Sequence, residues 1–305
     1  MQLQVILVPE LLNQPILVVG GDSLVGRAVV DYLDSAGFSV FTTTRRTECV
    51  SSKCLALDLE NSSAFGFQPA TVLLCASITN TAFVEKARAE ARRVNVDAVV
   101  ALARTLHEGG SHIIYISSVG VFGDSCELKE TTASPFPANE YGQQKLDAER
   151  GLLALGSRFA VIRPTKIVSC ATPMILEWIE KLGCGKEIQP FNDFFFCPVS
   201  LKFLSHSLAA LALRRPSGIF HLSGQCQVSY AEFAKVLAKS MGVASDTVVP
   251  TYSAEFKVPA FYPPRQPCLS MASTTALLGV QPQSLQSVVD DLLSEHMDYV
   301  VPVKS

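Results

Sequence analysis

Ile16-Leu17-Val18-Val19-Gly20-Gly21-Asp22-Ser23-Leu24-Val25-Gly26-Arg27 sets a short apolar run against a glycine-bearing turn and then a helix-period segment. Four consecutive aliphatic residues read as a strand buried on both faces. Gly20 permits a tight turn, and Gly26 lets the following helix approach the sheet closely. The helix N-terminus at Ser23, Leu24 and Val25 then presents backbone amides without intrahelical partners, a geometry that suits a pyrophosphate. Ser23 stands where a middle glycine is usual and is small enough to allow close approach. Gly-Gly turns also occur with no ligand, so the weight of the segment comes from its place after the first strong strand.

Outward from this turn, short β-branched runs alternate with helix-period stretches. Strands are expected at 16–19, 39–42, 52–56, 71–75, 112–116 and 159–163, and helices at 24–36, 82–109 and 140–155. The pattern predicts an α/β fold, a Rossmann-type doubly wound parallel sheet. After Arg163-Pro164 the alternation stops. Helices are then expected at 174–182, 201–213, 230–241 and 285–293, with one strand at 218–222. The division predicted is a dinucleotide-binding domain over 14–170, to which 197–225 returns, and a smaller interleaved substrate lobe from 171–196 and 226–305. The apolar start of the chain, Met1 to Pro9, is expected to form an extra strand or an ordered arm.

The second strand runs into Arg45-Arg46. A site for NAD normally places an acid there to accept from the ribose 2′-hydroxyl. Two guanidinium groups instead favour a 2′-phosphate, so NADPH is expected over NADH. Two solvated arginines are the competing reading. Asp58, after the third strand, suits either the adenine amino group or a turn cap.

Tyr141 and Lys145 are spaced four apart, so both side chains leave one face of a helix. An ammonium beside the phenol is expected to lower its pKa and let it exchange a proton with a substrate oxygen. Upstream, a strand ends in Ser117-Ser118-Val119-Gly120, which puts the Ser118 hydroxyl at the carboxyl edge of the sheet where ligands bind. Each element alone also has a purely structural explanation, a surface helix in one case and a strand-ending serine pair in the other.

Gly20–Gly26, Ser117-Ser118 through Gly123, Tyr141 with Lys145, and Arg163-Pro164-Thr165 follow the order found in extended short-chain dehydrogenases/reductases. The chain resembles that superfamily, the NAD-dependent epimerase/dehydratase group. Gly218 to Gly224 and Ser229-Tyr230 look like the substrate-binding half of its dTDP-4-dehydrorhamnose reductase branch. The resemblance implies Tyr141 as proton donor, Lys145 on the nicotinamide ribose, and Ser118 polarising the carbonyl. It places Ala76 and Ser77 beside the cofactor ribose and Pro164 against the nicotinamide carboxamide. It also implies a homodimer, with a 4-keto nucleotide sugar as small-molecule substrate. Alternatives are an epimerase or dehydratase that retains its cofactor, and an NADP-binding regulatory subunit without catalysis. Against a dehydratase, Val119 and Gly120 follow Ser118 where an acid is usual. Pro263 departs from the family's arginine, with Arg265 nearby as a substitute.

The bulk composition narrows the partners. With 25 Lys and Arg against 28 Asp and Glu, the formal charge of −3 offers no footprint for nucleic acid. No apolar run reaches the roughly 18 residues of a membrane span. Nine scattered cysteines without a Cys-x-x-Cys pair point away from a metal site or disulfide framework and toward a reduced, cytoplasmic protein. Phe191, Phe194, Phe195 and Phe196 are expected in core or subunit packing rather than a pocket wall, and Lys166 and Lys202 as solvated lysines.

Overall fold

A computed structural model of the chain describes residues 14–61 and 68–300; the arm expected at the start lies outside them. In chain order the elements are β1 (Ile16–Val19), α1 (Leu24–Ser35), β2 (Val40–Thr44), β3 (Cys54–Ala56), β4 (Thr71–Leu74), α2 (Thr81–Lys86), α3 (Arg88–Arg92), α4 (Val99–Glu108), β5 (His112–Ile116), α5 (Glu140–Leu153) and β6 (Phe159–Pro164). Then follow β7 (Lys166–Val168), α6 (Pro173–Gly183), β8 (Phe195–Phe196), β9 (Pro198–Ser200), α7 (Leu201–Arg214), β10 (Gly218–Leu222), β11 (Val228–Ser229), α8 (Tyr230–Ser240), α9 (Ala272–Leu278) and α10 (Leu285–Val300).

Seven strands form one parallel sheet in the order β3-β2-β1-β4-β5-β6-β10. Alternate residues of each strand face opposite sides. Ile16 and Val18 therefore meet Val29 and Leu33 of α1 and Leu204 and Leu208 of α7. Leu17 and Val19 meet Leu102 and Leu106 of α4 and Leu152 of α5 on the other side. Both faces are covered, which is why β1 reads as an unbroken apolar run. A third cluster, from Trp178 and Ile179 of α6, Phe233 and Leu237 of α8 and Val288 of α10, lies apart from the sheet. Phe196 packs there at 4.4 Å from the Tyr230 ring, and Phe191 meets Phe194 and Phe256.

The single helix expected over 82–109 is corrected to three segments. Ala87, at φ −121° and ψ 50°, interrupts it, and residues Arg93–Ala98 form a π-helical turn. The turn rotates Asn95 inward: its Oδ1 accepts from the Ile78 amide at 2.7 Å and the Ser77 hydroxyl at 3.0 Å. Its Nδ2 donates to the Ile78 carbonyl and to Gln144 Oε1, each at 3.0 Å. Apolar periodicity runs through the break, so the sequence pattern does not register it.

β6 and α5 are joined by a buried ion pair. Arg163 Nε and Nη2 donate to the two Glu149 oxygens at 2.9 and 2.6 Å, with the residues only 2% and 1% exposed. The guanidinium also lies 5.1 Å from the Phe122 ring centre. Removing one partner of such a pair strands the other charge in a low-dielectric interior, at about 3–5 kcal/mol. Glu149→Leu is therefore expected to lower unfolding stability by that amount in urea titration. A loss within 1 kcal/mol of zero contradicts the packing described here.

Candidate active site

The turn after β1 leaves no room for a side chain. Gly20 sits at φ +83°, and a Cβ there would lie 2.8 Å from Ala76 Cα across the sheet. Its amide donates to Thr43 Oγ1 at 2.9 Å. A Cβ on Gly26 would lie 2.1 Å from the Gly20 carbonyl oxygen. Ser23 caps α1: its hydroxyl donates to the Gly20 carbonyl at 2.7 Å and accepts from the Gly26 amide at 3.1 Å. The serine thus closes the turn that a glycine usually makes. The Leu24 and Val25 amides, in the first helical turn, have no intrahelical acceptor.

Beyond this turn the carboxyl ends of the strands border two hollows of about 330 and 580 Å³ that share Ser23 and Ser77. Gly20, Arg45, Asp58 and Ala76 line the smaller, outer one. Leu24, Val25, Ser118, Tyr141, Lys145 and Pro164 line the larger, inner one. Of the fourteen residues that the sequence singles out, twelve border these two adjoining hollows, and Gly26 and Arg46 do not. Gly26 is beneath the turn, and Arg46 pairs with Asp22, its Nε 3.3 Å from Oδ2. Thr44 also donates to that carboxylate at 3.0 Å. Of the two arginines expected at one phosphate, Arg45 borders the outer hollow and Arg46 is paired with Asp22 of the glycine turn. Asp58 has taken the capping role, accepting from the Glu60 amide at 3.2 Å while still bordering the outer hollow.

Just beyond the end of β5 lies Ser118, whose hydroxyl accepts from the Gly120 amide at 3.0 Å. Asn139 caps α5 by accepting from the Gly142 amide at 2.8 Å, which sets Tyr141 in the first turn. Gly142 allows that helix to touch the Ser118 loop, since a Cβ there would lie 2.2 Å from the Gly120 carbonyl oxygen. One turn on, the Lys145 ammonium donates to the Ile116 carbonyl at 2.9 Å and lies 5.8 Å from the Tyr141 ring centre. Burial raises the Tyr141 phenol to about 12, and a hydrogen bond with Ser118 works the other way. Burial lowers Lys145 to about 8, opposed by the Glu149 carboxylate. The expected lowering of Tyr141 by Lys145 is thus corrected: desolvation dominates, and the phenol stays protonated at neutral pH. A neutral phenol beside a carbonyl is a proton donor.

Sequence reasoning missed Asn95 and Gln144. Gln144 lies within the Tyr-x-x-x-Lys span but faces inward, and its amide donates to the Arg88 carbonyl at 3.1 Å. Only a polar residue on an otherwise apolar helix face marks Asn95. Arg265 is held 3.1 Å from Asp124 and does not border the cleft, so it does not stand in for the arginine replaced by Pro263, which does. Lys202 pairs with Asp291 at 3.4 Å, whereas Lys166 lines the inner hollow.

A family model described as the RmlD substrate binding domain matches residues 14–297. The chain belongs to that family. Methionine adenosyltransferase 2 subunit beta of Pongo abelii is 29% identical over 256 residues, 78% of this chain and 75% of that protein. A dTDP-4-dehydrorhamnose reductase of Sinorhizobium fredii is 28% identical over 180 residues, 55% of this chain and 60% of that one. Among solved structures, the dTDP-4-dehydrorhamnose reductase of Clostridium acetobutylicum superposes with a TM-score of 0.81 at 22% identity, covering 93% of this chain and 100% of the other. That of Bacillus anthracis, in complex with NADP, gives 0.79 at 21% identity, covering 93% and 99%. This RmlD-family chain shares the fold of those reductases. No described helix is long and apolar enough to cross a membrane.

The Gly20 turn supplies the first test of the cleft. Gly20→Ala forces a side chain into the left-handed region, at about 1–2 kcal/mol of strain, and against Ala76. At least about a tenfold loss of NADPH affinity is expected in a fluorescence titration, with the circular dichroism spectrum retained. Unchanged affinity contradicts this account of the turn.

Proposed function

We propose that this RmlD-family chain is an NADPH-dependent reductase of a 4-keto nucleotide sugar. The observation that carries the proposal is the continuity of one cleft from Arg45, through the glycine turn, to Ser118, Tyr141 and Lys145. The residues fit a dinucleotide. The Gly20 turn lacks a Cβ where a diphosphate would approach, the first amides of α1 face the same space, and Arg45 borders the far end.

A bound nicotinamide dinucleotide supplies the hydride. The chain's own groups do the rest. The Ser118 hydroxyl donates to the substrate carbonyl oxygen and polarises it. The Tyr141 phenol then transfers its proton to that oxygen as the carbon accepts the hydride, so the ketone becomes an alcohol. Lys145, cationic at neutral pH, stabilises the phenolate left behind. Asn95, through Ser77 and Gln144, fixes the wall opposite α5. Phe261, Tyr262, Pro263 and Gln266 enter the inner hollow from the C-terminal segment. We assign that segment, with α6, α8 and α10, to the substrate-binding lobe.

Val119 and Gly120 after Ser118 supply no acid for a dehydratase. One comparison favours a second reading: the first relatives by sequence are subunits of a methionine adenosyltransferase. On that reading the chain binds NADPH, co-purifies with another enzyme and turns nothing over.

The test is loss of 340-nm absorbance when NADPH and a panel of 4-keto nucleotide sugars are supplied. Turnover with one member supports the reductase, and none across the panel removes this substrate class. In the responding reaction, Arg45→Ala is expected to cut kcat/KM for NADPH about tenfold or more while sparing NADH, because a charge-assisted contact to the 2′-phosphate is lost. Arg46→Ala leaves the ratio within about twofold, since exposed ion pairs contribute little. An Arg45 variant that keeps its cofactor preference contradicts the assignment.

A further inference from the structure

Among the described residues that line the inner hollow there is no carboxylate, and the charged side chains are Lys145 and Lys166. Lys145 is buried and engaged with the Ile116 carbonyl. Lys166 is not engaged in this way. Near the cleft Arg46, Arg93 and Arg265 pair with Asp22, Glu60 and Asp124, while Arg45 borders the outer hollow. The Lys166 side chain is exposed, and desolvation by the surrounding protein lowers its pKa. Its backbone is fixed, with the amide donating to the Cys197 carbonyl at 3.1 Å. Ser117, also on this hollow, has a buried hydroxyl with no partner among the described residues.

Position decides what such an ammonium meets. Lys166 follows Pro164, the last residue of β6, by only two residues, about 7 Å of extended chain. It therefore stands at the end of the cleft where Tyr141 and Ser118 meet the reacting carbon. The diphosphate of a nucleotide sugar is separated from that carbon by the ring. An unpaired cation in an acid-free hollow is electrostatically complementary to a substrate anion.

We propose that the sugar ring handled by this cleft carries a carboxylate, and that Lys166 binds it. The proposal deepens the nucleotide-sugar reading and rests on it. UDP-glucuronate and UDP-glucose serve as probes, since they differ only in a carboxylate against a hydroxymethyl group. Each is titrated calorimetrically into the full chain saturated with NADP+. The glucuronate is expected to bind about tenfold more tightly, as a charge-assisted hydrogen bond provides. Lys166→Gln should abolish the preference, and Lys166→Arg should retain it, with NADP+ titration as the control for folding. Equal binding of the two probes, or a preference that survives Lys166→Gln, overturns the proposal. So does equal weakening of both probes by Lys166→Gln, which would assign the ammonium to the diphosphate. If neither probe binds while NADP+ does, the nucleotide-sugar reading fails, and this inference with it.

Discussion

A single buried ammonium ties α5 to the sheet. Lys145 donates to the carbonyl that ends β5, so α5 cannot slide or rotate without breaking a charge-assisted hydrogen bond in a desolvated interior. That constraint sets Tyr141, one turn earlier, beside the Ser118 loop at the end of the same strand. One turn later Glu149 holds Arg163 of the neighbouring strand β6. Three successive turns of one helix thus present a phenol, an ammonium and a carboxylate. The carboxylate supports the cationic state of Lys145, which burial alone would weaken further.

The sheet order supplies the place for this chemistry. β1 lies between β2 and β4, and the chain leaves their carboxyl ends toward opposite faces, opening a crevice at the switch point. The glycine turn borders one end of that crevice, and Ser118 with Tyr141 the other. Asn95 links the two, because its amide bonds both to the Ser77-Ile78 segment after β4 and to Gln144 of α5. The π-helical turn that aims Asn95 gives up helical regularity for this positioning, a pattern common at functional sites.

Much of this was legible in the chain itself. The strands at 112–116 and 218–222 fall at their expected bounds, because aliphatic and aromatic residues dominate both even though His112 and His221 lie within them. Residues from seven separate segments meet at one cleft, since each segment marks the end of a parallel strand or the start of a helix. Long-range electrostatics were not legible. Asp22 takes Arg46 across the turn, and desolvation rather than Lys145 governs Tyr141, and neither follows from local spacing. Short strands β7, β8, β9 and β11 were missed because two or three residues carry no periodicity. Ser23 reads as a defect in the glycine pattern until its hydroxyl is seen to cap α1.

The account stands on the Tyr141 phenol as the donor of a proton to the substrate. Tyr141→Phe removes one hydroxyl and keeps the ring, so NADPH titration and 340-nm turnover in the same preparation separate binding from chemistry. The account predicts NADPH affinity within about twofold of the parent chain and turnover reduced by at least about a hundredfold, the scale of general acid catalysis. Turnover that survives in the phenylalanine variant contradicts it.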